Sequence, residues 1–143
     1  AQTILSGDAR VVNYVEDIWP RFICNLVIVK QAFIDQRPRA VRQLVQSAMR
    51  SGIWAENNPD EAAAIASRYW NQPPDLIRYA LTTPQDRIDY RQSLPQASEI
   101  QQLADLMVRY RLAADADITG LVDEHFARDA DLDDIAGVDT ILK

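Results

Sequence analysis

The sequence predicts an α/β fold that is predominantly helical, with two short strands followed by about five helices. Three observations carry that expectation. The stretch Ala9–Asp35, ARVVNYVEDIWPRFICNLVIVKQAFID, holds two β-branched runs around a polar loop and leads directly into a helix. After it, apolar residues recur at three- and four-residue steps. Prolines and an Asn-Pro pair then punctuate the chain where helices stop and start.

The first run is Arg10–Val15 and the second Cys24–Val29, and both read as buried strands because their residues suit a pleated surface. Between them Glu16, Asp17, Trp19, Pro20 and Arg21 occupy a strand-end loop, the place where open α/β sheets hold ligands. Pro38 opens a helix that runs to about Trp54, with Val41, Leu44, Val45, Ala48, Gly52 and Ile53 on one face. Asn58 reads as an N-cap, Pro59 as the first helical residue and Glu61 as the far member of a capping-box-like pattern, in a helix through Tyr69. Pro73-Pro74 ends that helix; Pro74-Asp75 starts a short one over Leu76–Leu81, and Thr83-Pro84 breaks the chain again. Arg87–Tyr90 reads as extended. Ser98 begins a long amphipathic helix striped by Ile100, Leu103, Met107 and Tyr110, and Asp117 caps a last helix over Ile118–Ala127. From Arg128 onward Asp129, Asp131, Asp133, Asp134 and Asp139 make an acidic, solvated and partly flexible tail, so the domain expected is residues 1–128 with a tail at 129–143. Two strands do not make a stable sheet alone, which implies either a weak sheet wrapped by helices or strands supplied elsewhere.

Composition narrows the function. A chain of 143 residues that is 48% hydrophobic and 25% charged fits one globular domain. Its net charge of −6 disfavours nonspecific nucleic-acid binding and anionic membranes, which draw their energy from basic residues. No apolar run reaches the length of a membrane span, so any secretion signal lies upstream of residue 1. Cys24 is the one cysteine; its setting, ICNLVIV, reads as a small buried core residue.

Catalytic and metal chemistry find little support. Asp115, Asp117, Thr119 and Gly120 match the start of a calcium loop, but Phe126 stands where a bidentate glutamate is needed. Asp129, Asp131 and Asp133 alternate similarly, with Asp134 replacing the glycine and Thr140 the glutamate. His125 is the one histidine, flanked by Glu124 and with Asp129 four residues on; it reads as a helix-surface or packing residue, because no second histidine completes a zinc motif. No serine or cysteine sits in a nucleophile elbow. Tyr69, Trp70 and Tyr79 lack a basic stripe and read as core aromatics. No enzyme, cofactor or metal follows from these residues.

The stretches FIDQRPRAVRQLVQSAMRSGIWAENNPDEAAAIA and LADLMVRYRLAADADITGLVDEHF, in this order after a strand, an aromatic polar loop and a strand, resemble a known pattern. Phe33 and Pro38 with Val41, Leu44 and Ala48, then Trp54 with the run Asn58-Pro59-Asp60-Glu61-Ala62-Ala63, and lastly Gly120-Leu121 to Asp123 and Phe126 carry it. The chain resembles, over roughly Ala9 to Phe126, the C-terminal half of ABC-importer solute-binding proteins of the nitrate/sulfonate/taurine (NMT1/THI5-like) class. The resemblance implies part of a two-lobe, type II periplasmic-binding-protein-like fold that closes on a small anionic or zwitterionic solute. It implies a periplasmic or membrane-associated extracytoplasmic location, an ABC permease as partner, and a missing N-terminal half of the same protein.

The resemblance also implies a site. The loop after Ile18-Trp19 faces the ligand, and Arg21 is the first candidate because a guanidinium fork matches the oxygens of nitrate, bicarbonate or a sulfonate. The competing reading of Arg21 is a surface ion pair with Glu16 or Asp17. Trp19 walls the pocket or anchors a core; Asn13 and Tyr14 donate to ligand oxygens or are plain strand residues; Glu16 completes the set. The two β-type runs are the candidate hinge strands, absorbing backbone rotation while lobes move. The alternatives are a binding-protein-like sensory or regulatory module of a multidomain protein and a helical interaction module. An enzyme of thiamine-precursor synthesis on the same architecture would need a Cys- and His-rich site.

Overall fold

The computed structural model describes residues 1–20, 22–85 and 88–142. Among them there are helices and turns and no strand. The helices are α1 (Gln2–Leu5), α2 (Val15–Ile18), α3 (Gln31–Gln36), α4 (Pro38–Asn57), α5 (Pro59–Trp70), α6 (Pro74–Thr82), α7 (Ala97–Arg109) and α8 (His125–Arg128), with 3₁₀ turns at Tyr90–Gln92 and Val138–Thr140. The chain divides into two compact units, one of Ala1–Phe22, Arg50–Gln92 and Asp134–Lys143, the other of Ile23–Met49 and Ser93–Asp133.

The absence of strands corrects the α/β expectation, and the reason is non-local. A strand satisfies its N–H and C=O groups only through a neighbour. The run at 10–15 belongs to the first unit and the run at 24–29 to the second, and neither finds a ladder partner. Val15 opens α2 instead, and the Tyr14 N–H donates to Oδ2 of Asp17 at 3.2 Å, closing a local turn. The β-branched side chains stay outside, with Val12 83% and Ile28 81% exposed. Cys24 is exposed as well, where the sequence suggests a buried residue. Strands that do not form cannot serve as hinge strands.

In the first unit the helix boundaries follow local chemistry. Pro59 sits at the first position of α5, yet Asn58 makes no capping bond; its Nδ2 donates to the Trp54 carbonyl at 2.9 Å, serving the end of α4. The expected capping box is therefore absent, although the boundary stands. Asn71, in the left-handed region at φ 51°, ends α5 before the prolines are reached. Helix α6 starts on Pro74 with Asp75 in its first turn, and it packs against α5. An ion pair between Arg78 and Asp60 spans those two helices. Ile53, Trp54, Ala62, Ala63 and Ile77 are buried. Tyr69 and Trp70 are not, standing on the exposed end of α5 rather than in a core, and Tyr79 is half-buried. Tyr90 starts a 3₁₀ turn where an extended segment was expected; Arg87 lies outside the described residues.

The second unit buries Val41, Ile100 and Phe126. Helix α7 starts within a residue of Ser98, and Tyr110 caps its end, 66% exposed, instead of continuing the apolar stripe. The last helix is much shorter than Ile118–Ala127, because Gly120 turns the chain at φ 73° and only His125–Arg128 winds as α8. Aspartates shape the segment before α8. Asp115, Asp117 and Asp123 each accept the N–H two residues on, at 3.1, 2.9 and 3.2 Å.

Candidate functional site

The residues singled out in the sequence gather at α2 in the first unit. Trp19 follows the helix, half-buried, its ring edge-on to Phe22 at 5.4 Å and 62°. Tyr14 and Glu16 are half-buried, Asn13 is exposed, and Arg21 lies outside the described residues. One turn of helix thus brings Tyr14, Glu16 and Asp17 within a few residues of the aromatic pair.

A different feature sits in the second unit. A cavity of about 340 Å³ is walled by Leu26–Val29, Ile34 of α3, Val41 and Val45 of α4, Ile100 of α7 and Phe126 of α8. Its volume is in the range of small-molecule sites. The polar side chains in its wall are Gln31 and Asp123. Nδ1 of His125 pairs with Oδ1 of Asp123, and this hydrogen bond holds the Asp123 carboxyl below its ordinary value. Aliphatic walls with one ionised carboxylate disfavour an anion, which would lose its hydration without gaining a cationic partner. The cavity is therefore not an oxyanion site. The helical spacing of Val41, Val45 and Ile100 shows which face they occupy, and the unfilled space beside them depends on how the segments pack.

Arg50 is the polar residue that sequence reading passed over. It is fully buried in the first unit, where Nε donates to the Thr140 carbonyl at 3.1 Å and an Nη to that of Asp134 at 3.4 Å. Its position three and four residues before Ile53 and Trp54 places it on the apolar face of α4, and that was the available signal. These bonds hold backbone of the acidic tail, so Arg50 acts on structure.

Two further groups complete the electrostatics. Burial, then the Glu56 charge, pushes the Tyr90 hydroxyl above its ordinary value. Hydrogen bonding from Thr119 lowers the Asp117 carboxyl. No three His, Cys, Asp or Glu side chains among the described residues lie close enough together to hold a metal ion, and no described helix is long and apolar enough to cross a membrane.

Residues 1–69 match the NMT1-like family. Over that stretch the chain is similar to the NMT1-like family. The match takes in α1 to α4, nearly all of α5 and every residue of the α2 set, and it supports solute binding as the class of function. The remainder of the resemblance, from Trp70 to Phe126, falls outside the matched residues. No curated protein and no solved structure matches the chain.

Proposed function

We propose that this NMT1-like chain is part of an extracytoplasmic solute-binding protein that delivers a small oxyanion or sulfonate-like solute, such as nitrate, bicarbonate, taurine or an alkanesulfonate, to an ABC permease. The observation that carries this reading is the family match, which includes Asn13, Tyr14, Glu16, Trp19 and Arg21 together. In this reading Arg21 supplies the charge and a planar pair of donors, Trp19 covers one side of the solute, Asn13 and Tyr14 add neutral donors, and Glu16 orients the guanidinium. A partner lobe from the same protein closes the site and excludes water, which strengthens each of these contacts.

The test is titration calorimetry on the intact protein, first with a panel of oxyanions and sulfonates and then with Arg21→Ala. A charged hydrogen-bonding partner contributes about 1.5–3 kcal/mol, so the variant should bind about ten- to hundredfold more weakly with an unchanged melting temperature. Equal affinity removes Arg21 from the site. A panel in which no anion binds removes the oxyanion reading itself.

A further inference from the structure

We propose that residues 129–140 form a two-stage latch on α4, whose outer end opens with salt while its inner end stays locked. Arg42, Gln46 and Arg50 stand four residues apart along α4 and so share one face of the helix. Each holds the segment that follows α8, and the order is the same in both. Arg42 pairs with the Asp129 carboxylate at 3.6 Å, and Oε1 of Gln46 accepts the Asp131 N–H at 3.3 Å. Arg50 then donates to the carbonyls of Asp134 and Thr140 at 3.4 and 3.1 Å. Successive turns of one helix thus fasten one stretch of chain.

The two ends differ in what holds them. At the outer end the Arg42 and Asp129 side chains are about half in water, and a pair of that kind contributes little and is screened by salt. The bond from Asp131 to Gln46 is long for an N–H to oxygen contact and lies two residues from that pair. The inner anchor is built differently. The Arg50 guanidinium is fully buried, where screening by salt is weak. A turn closed on Thr140 holds the inner end together: its Oγ1 donates to the Gly137 carbonyl at 2.6 Å and accepts the N–H groups of Ala136 and Gly137, each at 3.3 Å. The Thr140 N–H returns to the same Gly137 carbonyl at 3.0 Å. The bend between the two parts falls at Asp134, whose φ of 54° is a left-handed conformation that aspartate tolerates better than most residues. Salt, or any anion that takes Arg42, therefore frees residues 129–133 from Arg42 and Gln46, and residues 134–140 stay in place.

Amide hydrogen exchange, followed by NMR on the full chain at about 20 mM and about 500 mM salt, tests the latch. The Asp131 N–H should exchange about tenfold faster at high salt, while those of Ala136, Gly137 and Thr140 stay within about twofold. Arg42→Ala should give the fast Asp131 exchange already at low salt and respond no further to added salt. Arg50→Lys, which keeps the charge but loses the planar fork, should instead speed exchange at Ala136, Gly137 and Thr140 about tenfold. If that variant does not fold, the salt series on the parent and on Arg42→Ala decides alone. Equal acceleration of both ends by salt overturns the two stages, and an Asp131 N–H that ignores both salt and Arg42→Ala overturns the outer tie. Exchange at the rates of an unstructured chain throughout residues 129–140 overturns the latch itself. The latch uses no residue of the α2 set, so this result and the anion titration stand or fall separately.

Discussion

Helices α4 to α6 and the two valine-rich runs at 10–15 and 24–29 are all apolar segments, yet the helices bury side chains and the runs expose theirs. Ile77 of α6 is 3% exposed and Ile28 is 81% exposed. The difference lies in where each segment finds its hydrogen-bond partners. A helix pairs its own backbone within four residues, so its apolar face is free to pack. A strand depends on a neighbour that its own sequence does not contain. Apolar composition alone therefore decides nothing about burial; the source of the backbone partner does.

The largest effect that sharpens this contrast belongs to Arg50. It ties α4 to the carbonyls of Thr140 and Asp134, a non-local link. Arg50→Ala leaves those carbonyls short of a donor and a void in a fully buried place. We expect a loss of about 3–4 kcal/mol in urea denaturation, since each buried unsatisfied group costs about 1–3 kcal/mol. A loss under about 1 kcal/mol would show that water reaches the site.

The contrast can be broken directly with one substitution in each region. Ile77→Ala should cost about 3 kcal/mol, the usual scale for emptying a buried isoleucine site. Ile28→Ala, at an 81% exposed position, should fall within about 0.5 kcal/mol. Equal losses would mean that the run at 24–29 is packed in solution, and the distinction between the two regions would disappear.

How much was legible follows the same line. The start of α4 at Pro38, of α5 at Pro59 and of α6 at Pro74 was readable because proline acts within its own turn. The end of α5 was readable to within a residue, Tyr69 against Trp70, but not its cause: Asn71 stops the helix through its left-handed backbone, where the sequence points to the prolines beyond it. The helix expected over Ile118–Ala127 failed on Gly120, whose positive φ depends on a turn built by neighbouring aspartates. For the site, Asn13, Tyr14, Glu16, Trp19 and Arg21 follow from the resemblance and lie within the matched residues 1–69. The cavity beside Ile100 and Phe126 was not legible, because its walls come from five separate stretches of one unit.

Gly52 offers a smaller test of packing in the helical region. A methyl group there would lie 2.6 Å from Cδ1 and 3.0 Å from Cβ of Tyr90, so the ring must move. Alanine favours a helix by about 1 kcal/mol over glycine, and overpacking costs about 1–3 kcal/mol. Gly52→Ala should therefore lower stability by about 1 kcal/mol. A gain instead would mean that Tyr90 does not rest on α4, and the Tyr90–Gln92 turn would lose its anchor.

Tyr90 gives the smallest effect and the one with a pH signature. Burial comes first and the Glu56 charge second in holding its hydroxyl above the ordinary value of 10.0. A raised value means that the folded state keeps the proton longer than the unfolded chain does. Between the two values the unfolded state binds fewer protons, so stability is intact below about pH 10 and falls as pH rises toward the folded value. Tyr90→Phe removes the ionisable group while keeping the ring against Gly52. Its melting temperature should match the parent at neutral pH and decline less steeply above pH 10. Parallel slopes for the two proteins would mean that the hydroxyl is already in water, and that the turn at Tyr90 packs no more tightly than the exposed run at 24–29.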